Sequence, residues 1–269
     1  MKQKFLAAAV QMVSGSDVTA NLQRAAHWVA EAAGKGARLV VLPEYFCLMG
    51  RQETDKVAVC EAYGDGPIQS ALAQMARDNG VWLAAGTVPL RSPEPQRVLN
   101  TTLLLDPDGE VRARYDKIHL FGFSGLGETY CESNTIRPGE QPVKADLGFA
   151  EMAFGICYDL RFPELFRQLS PYDLMILPAA FTATTGEAHW EPLLRARAIE
   201  NQSYVLASAQ GGEHDNGRKT HGHSMIIDPW GRVLAEIDKG EGVILAEIDP
   251  TLIQSVRTRL PALAHRVLA

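Results

Sequence analysis

Three side chains able to carry out acyl transfer stand in strand-end contexts along this sequence. Cys157 lies in AFGICYDLRFPE, at the end of an apolar run and ahead of a helix that Pro163 can start. A thiol at a strand-to-helix turn faces backbone N–H groups and a helix N-terminus, both of which favour the thiolate. A lone buried cysteine is ordinarily a small inert hydrophobe, but Asp159, Arg161 and Glu164 crowd polar groups around this one. A cysteine nucleophile needs a base and a group to hold the oxyanion. None of the seven histidines stands where it obviously couples to Cys157. Glu44 in VLPEYF does, because it follows Pro43 at a strand end, where a carboxylate is costly unless it has partners or a task. Lys117 in YDKIHLF is a cation on an otherwise aromatic and apolar segment. Its competing reading is a solvated lysine at a strand end.

These residues must be positioned by short apolar strands set between amphipathic segments. LVVLPEYF (39–46) and LMILPAAF (174–181) each read as an apolar strand stopped by a proline. Strands from Val81 and Tyr204 follow them. TTLLLDPDGEV and HSMIIDPWGRV then read as hairpins, with Pro at the first corner and Gly at a positive-φ position. The same order of strand-Pro, strand and hairpin thus occurs twice, an internal duplication with a pseudo-twofold relation. Helical segments fall near 17–34, 67–79 and 187–202, the last carrying Trp190, Leu193, Leu194, Arg197, Ala198 and Asn201 on one packing face. Two such halves bury their strands most simply as two sheets face to face with helices outside, an α/β four-layer α-β-β-α sandwich. No G-x-G-x-x-G follows the first strand, which disfavours a doubly wound Rossmann sheet. No composition shift marks a second domain, so 1–269 is expected to form one, with a C-terminal tail over about 251–269 that could reach a neighbouring subunit.

Composition narrows the function classes. The 26 Lys and Arg against 32 Asp and Glu give a net charge of -6, no uniform positive field for nucleic acid or an anionic membrane. Every apolar run is interrupted well short of a membrane span. The N-terminal MKQKFLAAAVQ could pass for an export signal, but Gln11 breaks the run, and a buried first strand leading into an Asp17 helix cap is the preferred reading. Cys47, Cys60, Cys131 and Cys157 show no C-x-x-C spacing, which fits a reducing cytoplasm.

VLPEYF around Glu44, YDKIHLF around Lys117 and GICYDLRFPE around Cys157, in that order, closely resemble the nitrilase superfamily of carbon-nitrogen hydrolases, and the resemblance covers essentially the whole chain. It implies the α-β-β-α fold, a Glu44–Lys117–Cys157 triad and a second glutamate, Glu132 in CESNTIRPGE, with Glu128 as its rival. It also implies an amidase that forms a thioester on Cys157 and releases carboxylate and ammonia, with no metal or cofactor, and a homodimer or higher homo-oligomer. Glu44 would take the thiol proton, while Lys117 and a backbone N–H near Tyr158 hold the oxyanion and Glu132 orients Lys117 or the amide. TGEAHWEPLLRARAIENQSYVLASAQ and HGHSMIIDPWG look like the branch acting on ω-amides of keto acids. The text is closest to amidases of deaminated glutathione, with ω-amidases of α-ketoglutaramate and α-ketosuccinamate as the alternative.

Such substrates are small anionic amides, which an acidic protein must bind with local cations. Arg161 is the first candidate for a carboxylate clamp; its competing role is an ion pair with Glu164. Tyr158, Phe181, Thr185 and His189 are candidates to line the pocket, His189 equally a helix residue without substrate contact. The Gly-rich IHLFGFSGLGETY departs from relatives that carry an acidic loop there, and is expected to shape the pocket mouth. GGEHDNGRKT fails as a phosphate loop and reads as a hairpin-side loop, and His214, His221 and His223 are a weak zinc signature. Rival functions are a hydrolase pairing Cys157 with His189 or His223, a non-catalytic interaction module and a true nitrilase.

Overall fold

The computed structural model describes residues 3–125 and 128–267. Strands β1 (Phe5–Gln11), β2 (Ala37–Val41), β3 (Trp82–Ala84), β4 (Val88–Arg91), β5 (Val98–Leu105) and β6 (Val111–Asp116) form one sheet, closed at its far edge by the late strand β15 (Gly242–Ile248). A small hairpin follows, β7 (Gly122–Gly125) and β8 (Glu128–Cys131). The second sheet holds β9 (Lys144–Asp146), β10 (Glu151–Phe154), β11 (Leu174–Ala179), β12 (Tyr204–Ala209), β13 (Ser224–Ile227) and β14 (Val233–Ile237). The helices are α1 (Val18–Gly34), α2 (Asp55–Ala58), α3 (Pro67–Asn79), α4 (Pro163–Leu169), α5 (Ala183–Asn201) and α6 (Pro250–Arg259).

The duplication is visible in the pairing. In the first sheet β1, β2 and β3 run parallel, and β5 lies antiparallel beyond them and turns back into β6. In the second, β10, β11 and β12 run parallel and the β13–β14 hairpin completes the series. The turns at both hairpins place Gly109 and Gly231 at positive φ, while the Asp106 and Asp228 carboxylates accept backbone N–H groups across the turn.

Strand periodicity decides where each apolar residue goes. Ala7, Ala9, Leu39 and Val41 point between the sheets and share one core with Met152, Ile176 and Leu206. Their neighbours Ala8, Val10, Val40 and Leu42 point the other way, into a second core under α1 and α3. On the far side, Trp190, Leu194 and Ala198 of α5 cover the second sheet. The result is four layers, α-β-β-α. Each fully buried leucine in such a core contributes roughly 1.5–3 kcal/mol, which fixes strand register because a one-residue slip would exchange the two faces.

Local signals account for most element boundaries. Asp17 caps α1 by accepting from Ala20 N at 3.1 Å, and α3 starts with Pro67 and ends at Gly80 in the left-handed region. α5 begins four residues ahead of the expected 187, because Thr182 provides an N-cap for Thr185 N. Pro178 does not stop its strand. The Ile176 carbonyl accepts from Gly155 on the β10 side, and Pro178 has the same parity, so its missing N–H faces a point where β10 has already ended. The stretch from 251, which shows no strong pattern in sequence, opens with α6, whose Ile253 and Val256 are buried. No helix among the described residues is long and apolar enough to cross a membrane.

Candidate active site

Glu44 sits in the turn after β2, held from several sides. Tyr45, in the left-handed region at φ 57°, donates its N–H to Thr87 Oγ1 at 2.9 Å, and Gln210 Nε2 donates to the Glu44 carbonyl at 3.0 Å. Gly86 passes so close beneath that a Cβ there would lie 2.2 Å from the Pro43 carbonyl. The carboxylate is 1 % exposed and accepts from Asn100 Nδ2 at 2.9 Å, Lys117 Nζ at 2.8 Å and the Ala180 N–H at 2.9 Å. Ala180 directly follows β11, so the two matching strand ends of the duplicated halves do meet at one edge of the sandwich.

Lys117 directly follows β6 and is fully buried, so it is not a solvated strand-end lysine. Its backbone is fixed by Asn100 O and Gly139 N, and its ammonium bridges Glu44 Oε1 at 2.8 Å and both oxygens of Glu132 at 2.9 and 2.8 Å. Burial works against the ammonium, but the two carboxylates outweigh it and hold the lysine protonated well above its usual range. Glu132, in the single helical turn after β8, also accepts from Tyr45 OH at 2.8 Å and Phe121 N at 2.7 Å. Burial pushes its carboxyl up, yet Lys117 and these donors bring it below the usual value. Of the two glutamates weighed, Glu132 is the one joined to Lys117; the Glu128 side chain lies outside the described residues.

Cys157 opens a short 3-10 helix after β10 at φ 48°, a conformation unusual for a residue with a Cβ. Asp159 pins this turn. Its oxygens, with no exposure, accept from Ile156 N at 2.9 Å, Tyr115 OH at 2.7 Å and His119 N at 3.0 Å, tying the cysteine turn to the segment that carries Lys117. Arg197 of α5 donates to Leu160 O at the end of the same turn. The sequence suggested a stabilised thiolate, and the structure corrects that. Burial and the charge of Glu44 push the thiol well above its ordinary value, with Lys117 and the Ala180 N–H only partly compensating. The resting sulfur is a thiol, and its proton has to leave as it attacks.

A narrow cavity, ≈ 260 Å³ of empty space counting what is open to solvent, lies over Cys157 and Glu132, with Tyr158, Arg161, Phe181 and Thr185 in its wall. Arg161 makes no ion pair with Glu164 among the described residues; its guanidinium lies 5.3 Å from the Phe181 ring and 5.7 Å from that of Tyr158, with Nη1 3.2 Å from His189 Nδ1. His189 is exposed and does not line the cavity, so it stands behind Arg161 and not beside the thiol. His223 is also absent from the cavity wall, engaged with Glu236 and Asp238. A Cys–His pair is therefore not assembled. His214 spends both ring nitrogens on Ser14 O and Thr220 Oγ1, and no three His, Cys, Asp or Glu residues among those described could hold a metal ion. Within the Gly-rich stretch, Gly122–Gly125 and Glu128–Cys131 pair antiparallel as β7 and β8, and Phe121 just before β7 reaches the cavity.

Three participants were not singled out in the sequence. Asn100 is an amide inside the apolar strand VLNTTLLL, where a buried polar residue needs a partner, and that was a readable signal. Tyr45 adjoins Glu44, but its reach to Glu132 is a tertiary fact. Arg218, in the loop dismissed as a phosphate site, lines the cavity and donates to Ala180 O at 3.2 Å.

Comparison with known proteins places the family and the fold. The family profile described as carbon-nitrogen hydrolase matches residues 6–258. A Synechocystis protein named deaminated glutathione amidase is 45% identical over 269 residues, covering 98% of each chain. The crystal structure of the C. elegans NitFhit protein superposes with a TM-score of 0.91 at 36% identity, over 99% of this chain and 66% of that one. Saccharomyces cerevisiae Nit3, described as a member of branch 10 of the nitrilase superfamily, gives 0.88 at 33% identity, over 99% and 97% of the two chains.

Proposed function

The chain belongs to the carbon-nitrogen hydrolase family, and from that premise we propose that it is a cysteine-dependent amidase acting on deaminated glutathione. The observation that carries the chemistry is the buried Glu44–Lys117–Glu132 chain of contacts, 2.8 Å at each link, beside the Cys157 thiol. A neutral thiol needs a base at the moment of attack, and Glu44 is the carboxylate whose charge acts most strongly on it. Glu44 takes the thiol proton as Sγ attacks the amide carbonyl. The Lys117 ammonium and the backbone N–H near Tyr158 hold the oxyanion. Collapse expels the amine, which leaves with the proton from Glu44, and a thioester remains. Glu44 then deprotonates water, which attacks the thioester and frees the carboxylate and the thiol. Glu132 acts through Lys117, holding the ammonium by both oxygens so that it cannot follow the moving proton toward Glu44.

The substrate reading comes from the names of the relatives and from charge. Glutathione is joined through the glutamyl side-chain carboxyl, so with its amino group exchanged for an oxo group it is a 2-oxoglutaryl amide. Its leaving group is cysteinylglycine, and ammonia is released only from primary amides such as α-ketoglutaramate. Arg161, its guanidinium flanked by Tyr158 and Phe181, suits the keto-acid carboxylate. Both amides yield 2-oxoglutarate, so one assay compares them. A higher kcat/KM for deaminated glutathione is expected, and a higher value for α-ketoglutaramate would overturn this substrate assignment in favour of an ω-amidase.

A further inference from the structure

Arg218 is a half-buried cation that the Glu44 and Glu132 carboxylates influence only through space. Its Nη2 donates to Ala180 O at 3.2 Å and Nη1 reaches the Met49 sulfur at 3.9 Å, while the buried Nε finds no hydrogen-bond partner. No carboxylate pairs with it among the described residues. The Tyr45 and Tyr130 rings lie 5.9 and 5.2 Å from its guanidinium carbon. Partly withdrawing a guanidinium from water without a paired counter-ion is costly, whereas the buried cations Lys117 and Arg197 have carboxylate partners, Glu44 and Glu132 for the first and Glu200 for the second. Among the described residues Arg218 is also the only side chain that lines both the Cys157 cavity and the neighbouring cleft, an opening of ≈ 830 Å³ counting space open to solvent, where Arg51, Lys56 and Asn216 stand.

The cavity over the thiol holds ≈ 260 Å³ of empty space even when the part open to solvent is counted, so it falls short of the roughly 300–1,000 Å³ that ligands of drug-like size fill. It cannot enclose a tripeptide-sized amide whole, so a long leaving group must extend outward, and the cleft past Arg218, where Arg51 stands and Lys56 pairs with Glu53, is the neighbouring opening. We propose that Arg218 is a specificity-determining residue that binds a carboxylate on the leaving amine of the substrate, opposite the acyl carboxylate held at Arg161. The site then reads an anion at each end of the scissile bond. This rests on the proposed substrate reading, and deepens it by assigning the recognition of the leaving group to one side chain.

The test compares kcat/KM for deaminated glutathione and for the same compound with its glycine carboxylate converted to a carboxamide. In the unaltered enzyme the carboxylate form is expected to be favoured by roughly 10- to 100-fold, the value of a hydrogen bond between two charged groups. In Arg218→Met that ratio is expected to fall to about one, and in Arg218→Lys to an intermediate value. A loss shared equally by both compounds reflects packing and leaves the ratio readable. A ratio near one in the unaltered enzyme, or an unchanged ratio in Arg218→Met, would overturn the inference. Faster turnover of α-ketoglutaramate than of either extended amide would instead overturn the substrate reading, with the ratio still measurable; no turnover of either extended amide would overturn both.

Discussion

Replacing Glu132 by Gln separates the two things this buried carboxylate does. It accepts four contacts from three donors: two from Lys117 Nζ at 2.8 and 2.9 Å, one from Tyr45 OH at 2.8 Å and one from Phe121 N at 2.7 Å. A glutamine keeps the shape and one acceptor oxygen, but its NH2 group cannot accept from Lys117, and the remaining contact loses its charge. Losing one charge-assisted hydrogen bond to the ammonium costs about 1.5–3 kcal/mol, so kcat/KM should fall roughly 10- to 150-fold at 1.4 kcal/mol per decade. The thiol should respond in the opposite sense. The negative charge of Glu132 is one of the influences raising the Cys157 pKa, so its removal makes the thiol more acidic and its alkylation at neutral pH faster. The assay pairs 2-oxoglutarate release with the pH dependence of iodoacetamide alkylation, read peptide by peptide. That resolution keeps the signal distinct from exposed Cys131 and from buried Cys47, whose pKa burial pushes up to about 12. An unfolded variant would lose turnover and the distinct Cys157 reactivity together. Unchanged turnover, or alkylation that slows in the folded variant, would refute the coupling of Glu132 to the thiol through Lys117.

Glu44→Gln should abolish the acyl adduct on Cys157 that mass spectrometry detects after mixing with substrate, whereas an enzyme with a histidine base would still form it. Asp159→Asn removes the charge from a fully buried carboxylate that ties together Ile156, Tyr115 and His119; denaturant unfolding should show a loss of roughly 2–4 kcal/mol, and a loss within 0.5 kcal/mol would contradict its anchoring role. Glu132 and Lys117 predict a broad pH plateau of stability. The folded-state pKa of Glu132 is lowered, so its contribution is complete above the ordinary 4.5 and lost as pH falls through the folded value. That of Lys117 is raised, so its contribution is complete below 10.5 and lost only as pH rises through the folded value. Unfolding free energies measured across pH should be flat with respect to this pair between those limits, and the acid limb should be shallower in Glu132→Gln. Gly86→Ala, with its Cβ driven to 2.2 Å from Pro43 O at φ 50°, should reduce both stability, by about 1–3 kcal/mol, and turnover, by displacing Glu44; full activity at wild-type stability would show that the turn tolerates the shift.

The layers and the duplicated order of strands were legible because each rests on local chemistry: period-two apolar runs, Asp-Pro-x-Gly turns and the Asp17 cap. Glu44, Lys117 and Cys157 were legible by type, by strand-end context and by the family resemblance of their motifs. Boundaries that depend on a neighbour were not. Pro178 continues its strand only because β10 stops beside it, and α5 extends back to Thr182 because a hydroxyl there meets an N–H.

The sequence by itself determined which residues could be nucleophile, base and cation, since side-chain type and its place at a strand end are local properties. Only the tertiary structure decided their charge states and their company. Two carboxylates and one ammonium converge from the ends of β2, β6 and β8, and burial first, then the carboxylate charges, keeps Cys157 a thiol where the local turn alone favoured a thiolate. The same holds for Arg218, whose meaning comes from what folding leaves beside it, because electrostatic interaction depends on distance through space and on burial, and neither is written in the order of residues.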